Sequence, residues 1–189
     1  MKKINMDTIV LDPNPILRQQ CEEVVFPMEK QDKEILQNML QYVRDSRDEE
    51  LAEKYKLQPA VGIAAPQIGV LKQMTAVVLD VEDKNGDYHT IEYALVNPKI
   101  VSHSLKKAAL ATGEGCLSVR EEHQGLVPRA KRIRVKAFDL IQNKEVDIKA
   151  RGHLAIVLQH EIDHLQGVLF YDHINKENPW HADDIEILE

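Results

Sequence analysis

The sequence predicts an α+β fold, with mostly antiparallel strands packed around a central helix and further helices at the N-terminal end. Two observations predict it. Helical periodicity is concentrated before residue 57 and again at 152–166, and strand-like segments fill the span between. Helices, then strands, then one helix is an α+β order, not the strict alternation of a parallel α/β fold.

Asp12-Pro13-Asn14-Pro15 is a turn signal, followed by an expected short helix over Ile16 to Val24. Glu29 to Lys56 places apolar residues at Ile35, Met39, Leu40, Val43, Leu51 and Ala52, a helical spacing with an expected break near Asp45-Ser46. Met74 to Val81 and Ile91 to Val96 flank Asn85-Gly86 and read as a hairpin. Val96 to Val101, Lys106 to Ala111, Ile133 to Leu140 and Glu145 to Ala150 are further strands. Gly152 to Gln166 is the late helix, with Gly167 as its stop. Leu169 to Ile174 reads as a last strand. Asn175 to Glu189 is acidic and reads as a solvated, frayed end.

The 189 residues suit one domain over 1–189 with a real core. A formal charge of −7 argues against non-specific nucleic-acid binding, which needs a basic surface. No apolar run reaches the roughly 20 residues a membrane span requires. Met1 to Asp7 carries lysines with no apolar stretch behind them, so no secretory signal is expected. The cysteines are Cys21 and Cys116 alone, which favours a reducing, cytoplasmic setting over a disulfide framework.

His160-Glu161-Ile162-Asp163-His164 is an HExxH sequence. Residues four apart on a helix share a face, so both imidazoles reach one metal ion. At about 100° per residue, Glu161 falls within the apolar arc of Leu154, Val157, Leu158, Ile162 and Leu165. Burial there would raise its pKa, which suits a group that takes and returns a proton. Catalytic sites commonly use three protein ligands and leave one position open. Cys116, in Gly113-Glu114-Gly115-Cys116-Leu117-Ser118-Val119, is a candidate third ligand, with two glycines before it that let another backbone approach closely and strand-like residues after it that would fix its direction; Asp172, His173 and His181 are candidates too. The bland alternative for Cys116 is a buried small hydrophobe. A zinc peptidase cutting internal bonds and a non-enzymatic metal module are also compatible with HExxH.

Ala60-Val61-Gly62-Ile63-Ala64-Ala65-Pro66-Gln67-Ile68-Gly69, then Glu114-Gly115-Cys116-Leu117-Ser118, then Gln159-His160-Glu161-Ile162-Asp163-His164, in that order, resemble the motifs of peptide deformylase. The extended region between the first helix and Val61, and the insertion-like Asp83 to His89, resemble the longer form typical of Gram-positive bacteria. The resemblance implies metal ligation by Cys116, His160 and His164, with Fe²⁺ as the native divalent ion and Ni²⁺, Co²⁺ or Zn²⁺ as substitutes. It implies Glu161 as general acid/base, and Gln67 with the Leu117 N–H as oxyanion donors. Main-chain groups of Val61, Gly62 and Gly115 would hold the substrate as an added strand. Glu114, Ile156 and Val157 would surround its methionine side chain. The substrates would be N-formylmethionyl nascent polypeptides, met by a cytoplasmic monomer that touches the ribosome transiently, without a membrane or direct nucleic-acid contact. The family's first motif usually opens Gly-x-Gly, whereas this chain has Ala60-Val61-Gly62.

Overall fold

The computed structural model describes residues 3–83 and 85–189; Lys84, inside the expected hairpin turn, and Met1 and Lys2 lie outside them. Helices α1 (Lys30–Arg47) and α2 (Glu49–Tyr55) precede strands β1 (Gly62–Ala64), β2 (Met74–Glu82) and β3 (Tyr88–His103). Then come β4 (Lys107–Leu110), β5 (Arg129–Ala130), β6 (Arg132–Asp139), β7 (Lys144–Arg151), helix α3 (Gly152–Leu165) and β8 (Ile185–Leu188). No helix among the described residues is long and apolar enough to cross a membrane.

Strands β1-β2-β3-β6-β7, in that spatial order, form an antiparallel sheet with β1 and β7 at its edges. The sequence of β2 follows from its place inside this sheet. Ala76 and Val78 pack with Leu36, Met39 and Val43 of α1, whereas Val77 and Leu79 pack with Val157, Leu158 and Ile162 of α3. A strand covered on both faces needs apolar side chains at every position, hence a continuous run. Strand β6 is covered on one face only. Ile133, Val135 and Ala137 are buried against the α3 side, and Arg132, Arg134 and Lys136 are exposed, so β6 alternates. The smaller sheet, β5-β4-β8, also contacts α3, which therefore lies between two sheets as a central helix.

The break in the first helical region falls at Asp48, whose carboxylate caps α2 by accepting from the Leu51 N–H at 3.0 Å. Helix α3 ends as expected, with Gly167 left-handed at φ 73°.

Four local expectations are corrected. The helix expected over Ile16 to Val24 is a single 3₁₀ turn, Pro15–Arg18; beyond it the Cys21 N–H binds the Leu165 carbonyl, an inter-element contact that competes with helix continuation. The strand expected over Leu169 to Ile174 is a 3₁₀ turn, Phe170–His173, capped by the Asp172 carboxylate on the Leu169 N–H at 2.9 Å. The residues after Cys116, read as strand-like, form a turn in which the Val119 N–H donates to the Cys116 carbonyl at 3.2 Å. The tail is not frayed throughout, because β8 pairs in parallel with β4.

Candidate metal centre

Helix α3 carries His160, Glu161 and His164 between the two sheets, and the loop after β4 brings Cys116 to them. The ligating atoms of Cys116, His160 and His164 all lie within 4.8 Å of one another. Cys116 Sγ is 3.3 Å from His164 Nε2. A tetrahedral shell with metal–sulfur near 2.3 Å and metal–nitrogen near 2.0–2.1 Å would separate sulfur and nitrogen by about 3.6 Å. The donor set therefore fits one small divalent ion. Asp172, His173 and His181 are elsewhere: Asp172 pairs with Arg18 at 2.5 Å, His173 with Asp163 at 2.7 Å and His181 with Asp183 at 3.5 Å.

The orientation of His160 is set by Glu114, whose Oε2 is 2.7 Å from His160 Nδ1. A carboxylate on Nδ1 holds that proton and leaves Nε2 for a metal. Glu114 is itself fixed by Arg129, which reaches both its oxygens at 2.9 and 3.0 Å. The side chains of Glu114 and Arg129 are 4% and 3% exposed. Arg129 also pairs with Asp163, inside the HExxH segment. Burial works against ionised Glu114, but His160 and Arg129 outweigh it and hold the carboxyl down at about 2. Burial and the neighbouring His160 push His164 well below the ordinary histidine value, which favours the neutral imidazole that a metal ion needs.

Glu161 is buried, as its place in the apolar arc predicts, and its Oε2 has no hydrogen-bond partner among the described residues. Burial, opposed by His160 and reinforced by the charge of Glu114, raises its pKa to about 7. Gln67 sits on the 3₁₀ turn Ala65–Ile68. Its Oε1 accepts from the Ala64 N–H at 2.8 Å, and its Nε2 donates to Ser118 Oγ at 3.2 Å and toward Cys116 Sγ at 3.4 Å. The N-terminal segment ties both loops down, since the Val10 N–H donates to the Gln67 carbonyl and the Asp12 N–H to that of Ser118, each at 2.8 Å.

These groups meet at one cavity of about 500 Å³. Val61, Gly62, Gln67, Gly115, Cys116, Leu117, Ile156, Val157, His160 and Glu161 line it, as does Glu114, although the Glu114 carboxylate is committed to Arg129 and His160. His164 stands behind this lining, buried. At Gly62 a Cβ would crowd the Glu161 carboxyl; of the two glycines before Cys116, Gly113 meets another backbone, its Cβ position lying 2.8 Å from the Gly125 carbonyl oxygen, whereas nothing among the described residues lies within 4 Å of that position at Gly115. Ala60 takes no left-handed conformation, so alanine is accommodated where the motif usually has glycine.

Sequence reasoning missed Arg129 and Ser118. Ser118 was in view as a motif residue, but nothing marked it as the partner of Gln67. Arg129 is 15 residues from Glu114 and 34 from Asp163, and an isolated arginine carries no spacing signal. Arg47 and His153 also line the cavity.

Residues 6–180 match the family model described as polypeptide deformylase. Peptide deformylase 2 of Bacillus subtilis is 53% identical over 177 residues, covering 94% of each chain. The peptide deformylase of Ligilactobacillus salivarius is 48% identical, covering 93% of this chain and 94% of its own. The Ehrlichia chaffeensis peptide deformylase in complex with actinonin superposes with a TM-score of 0.69 at 32% identity, covering 94% of this chain and 91% of that one. These relatives bear out the resemblance to Gram-positive forms and do not favour the internal peptidase or the non-enzymatic module. The chain belongs to the polypeptide deformylase family and is a metal-dependent hydrolase that removes the formyl group from the N-terminus of newly made polypeptides.

Proposed function

We propose that residues 1–189 act as one catalytic domain in which Cys116, His160 and His164 hold a single ion, Fe²⁺ in the cell and Ni²⁺, Co²⁺ or Zn²⁺ as substitutes. One thiolate and two imidazoles suit such borderline ions. When bound, the ion supplies Lewis acidity to a water and to the formyl oxygen.

Glu161 takes the proton of the attacking water at its unpartnered Oε2. As the carbon–nitrogen bond breaks, the same carboxyl delivers that proton to the departing amine, leaving formate and a free N-terminus. Gln67 and the Leu117 N–H donate to the formyl oxygen as charge develops there. A donor of this kind contributes about 3–4 kcal/mol in other enzymes. Because β1 is an edge strand, a peptide can add beside Val61 and Gly62 and meet Gly115 across the cavity. Ile156 and Val157 offer an apolar wall to the methionine side chain, closed on one side by Glu114. A solved deformylase of Acinetobacter baumannii with Met-Ala-Ser bound, 26% identical with a TM-score of 0.68 and covering 92% of this chain, supports a peptide of that kind as ligand. The enzyme works as a cytoplasmic monomer that meets nascent chains at the ribosome.

The observation that carries this reading is a buried carboxylate oxygen without a partner in the same cavity as a Cys/His/His cluster. Formate release from formyl-Met-Ala-Ser, by anaerobic protein loaded with Fe²⁺, tests it. Glu161→Ala should keep its metal and lose activity by at least about 100-fold. Cys116→Ala should lose metal. Retained activity in the first, or unchanged metal content in the second, would overturn the assignment.

A further inference from the structure

The charge of −7 is not evenly spread. The outward face of β6 and β7, on the far side of the sheet from α3, carries Arg132, Arg134, Lys136, Lys149 and Arg151, and Lys99 of β3 continues it. In the observed register Arg132 stands opposite Arg151, Arg134 opposite Lys149, and Lys99 opposite Lys136. Like charges directly opposite one another destabilise a sheet. Among the described residues in these rows, Asp147 is the acidic one, and it pairs with Arg134 at 2.5 Å. Glu145 stands one row further, opposite Phe138.

Protection of a sheet edge does not account for this pattern. Cations on β7 would keep that edge from pairing with another chain, but β6 is an interior strand. Arg132, Arg134, Lys149 and Arg151 border a shallow, open depression of about 480 Å³ on this face, with Ser102, His103 and Ser104 on its β3 side.

We propose that this face binds the phosphate backbone of structured RNA. Repeated cations about 6.6–6.8 Å apart along each strand present a row of donors to a row of phosphates, and arginines bind phosphate through planar, bidentate contacts. The shallow depression between such rows gives a phosphate ridge a place to seat. His103 lines the depression, but no Phe, Tyr or Trp does among the described residues, so interfacial anchoring is not provided for and the charged contacts are to phosphates. The contact is therefore sequence-independent.

The test uses the metal-loaded full chain and a fluorescent RNA stem-loop, with anisotropy read at rising salt. Affinity should fall with salt on a log–log slope of about 0.7–0.9 per phosphate neutralised. The triple variant Arg132→Ser, Lys149→Ser, Arg151→Ser should bind at least about tenfold more weakly at 50 mM salt and flatten the slope by about 2–3. Its formate release from a short formyl peptide should match wild type, because none of these residues lines the cavity; matching activity also shows that the variant folds. A control with the same change in net charge, Lys30→Ser, Lys33→Ser, Lys54→Ser, should keep wild-type affinity. Equal losses in both variants, no loss in the first, or binding to phosphatidylserine vesicles without binding to RNA would each overturn the proposal.

Discussion

Gly62 and Glu161 leave no room between them: a Cβ on Gly62 would lie 2.8 Å from the Glu161 carboxyl carbon and 2.9 Å from its Cγ. The glycine of the first motif thus shapes the pocket for the carboxylate of the third. Gly62 has no left-handed backbone, so its backbone would tolerate alanine, and the atoms nearest to the added Cβ are those of Glu161. Gly62→Ala is expected to displace the carboxylate and cut kcat by about 100-fold or more, while thermal stability changes little and metal content stays at wild type. Steady-state kinetics with metal analysis of the same preparation checks it. Undiminished kcat would show that Glu161 has other room.

Glu114→Gln removes the anion that pairs with Arg129 and orients His160. Metal affinity should fall about 10–100-fold, the usual effect of losing such an outer partner. Stability should fall by about 3 kcal/mol, because breaking a buried pair strands its other charge; Asp163 remains to Arg129 and keeps the loss at the low end. Competition with a chelator gives the first quantity and urea unfolding the second.

The same carboxyl predicts how the metal-free protein responds to acid. Its pKa is about 2 folded against an ordinary 4.5. Its contribution is therefore complete above about pH 4.5 and is lost as pH falls toward 2. A shift of that size corresponds to about 3 kcal/mol. Urea midpoints measured from pH 6 to pH 2.5 should decline steeply in wild type and less in Glu114→Gln. Parallel declines would rule out Glu114 as the source.

Removal of β8 tests the corrected reading of the tail. The Ala111 N–H donates to the Leu188 carbonyl at 2.8 Å, and Ile185 to Leu188 pair with Lys107 to Leu110. Ending the chain after Asp184 should lower Tm by a few degrees, about 2–4 °C per kcal/mol lost for a chain of this size. Formate release at low temperature should persist. A truly frayed tail would leave Tm unchanged.

Local patterns carried a large part of this protein. Helical spacing places His160 and His164 on one side of α3 and Glu161 against the apolar core, because 3.6 residues per turn is a property of the chain and needs no partner. The paired faces of β2 and the one-sided alternation of β6 are likewise written in side-chain order, and the motifs placed Gln67 and Cys116 in one family. Tertiary structure decided what depends on approach between distant segments. Glu114 could stand near a substrate pocket by motif, yet its carboxylate is engaged by Arg129 and His160. The 185–188 segment becomes a strand only because β4 offers an open edge, and the last turn after α3 is 3₁₀ because the Asp172 carboxylate caps it. Electrostatics and hydrogen bonds between residues far apart in sequence leave no periodicity to read. The two halves meet at Gly62, whose sequence says only that a side chain is absent and whose fold shows that Glu161 occupies the space.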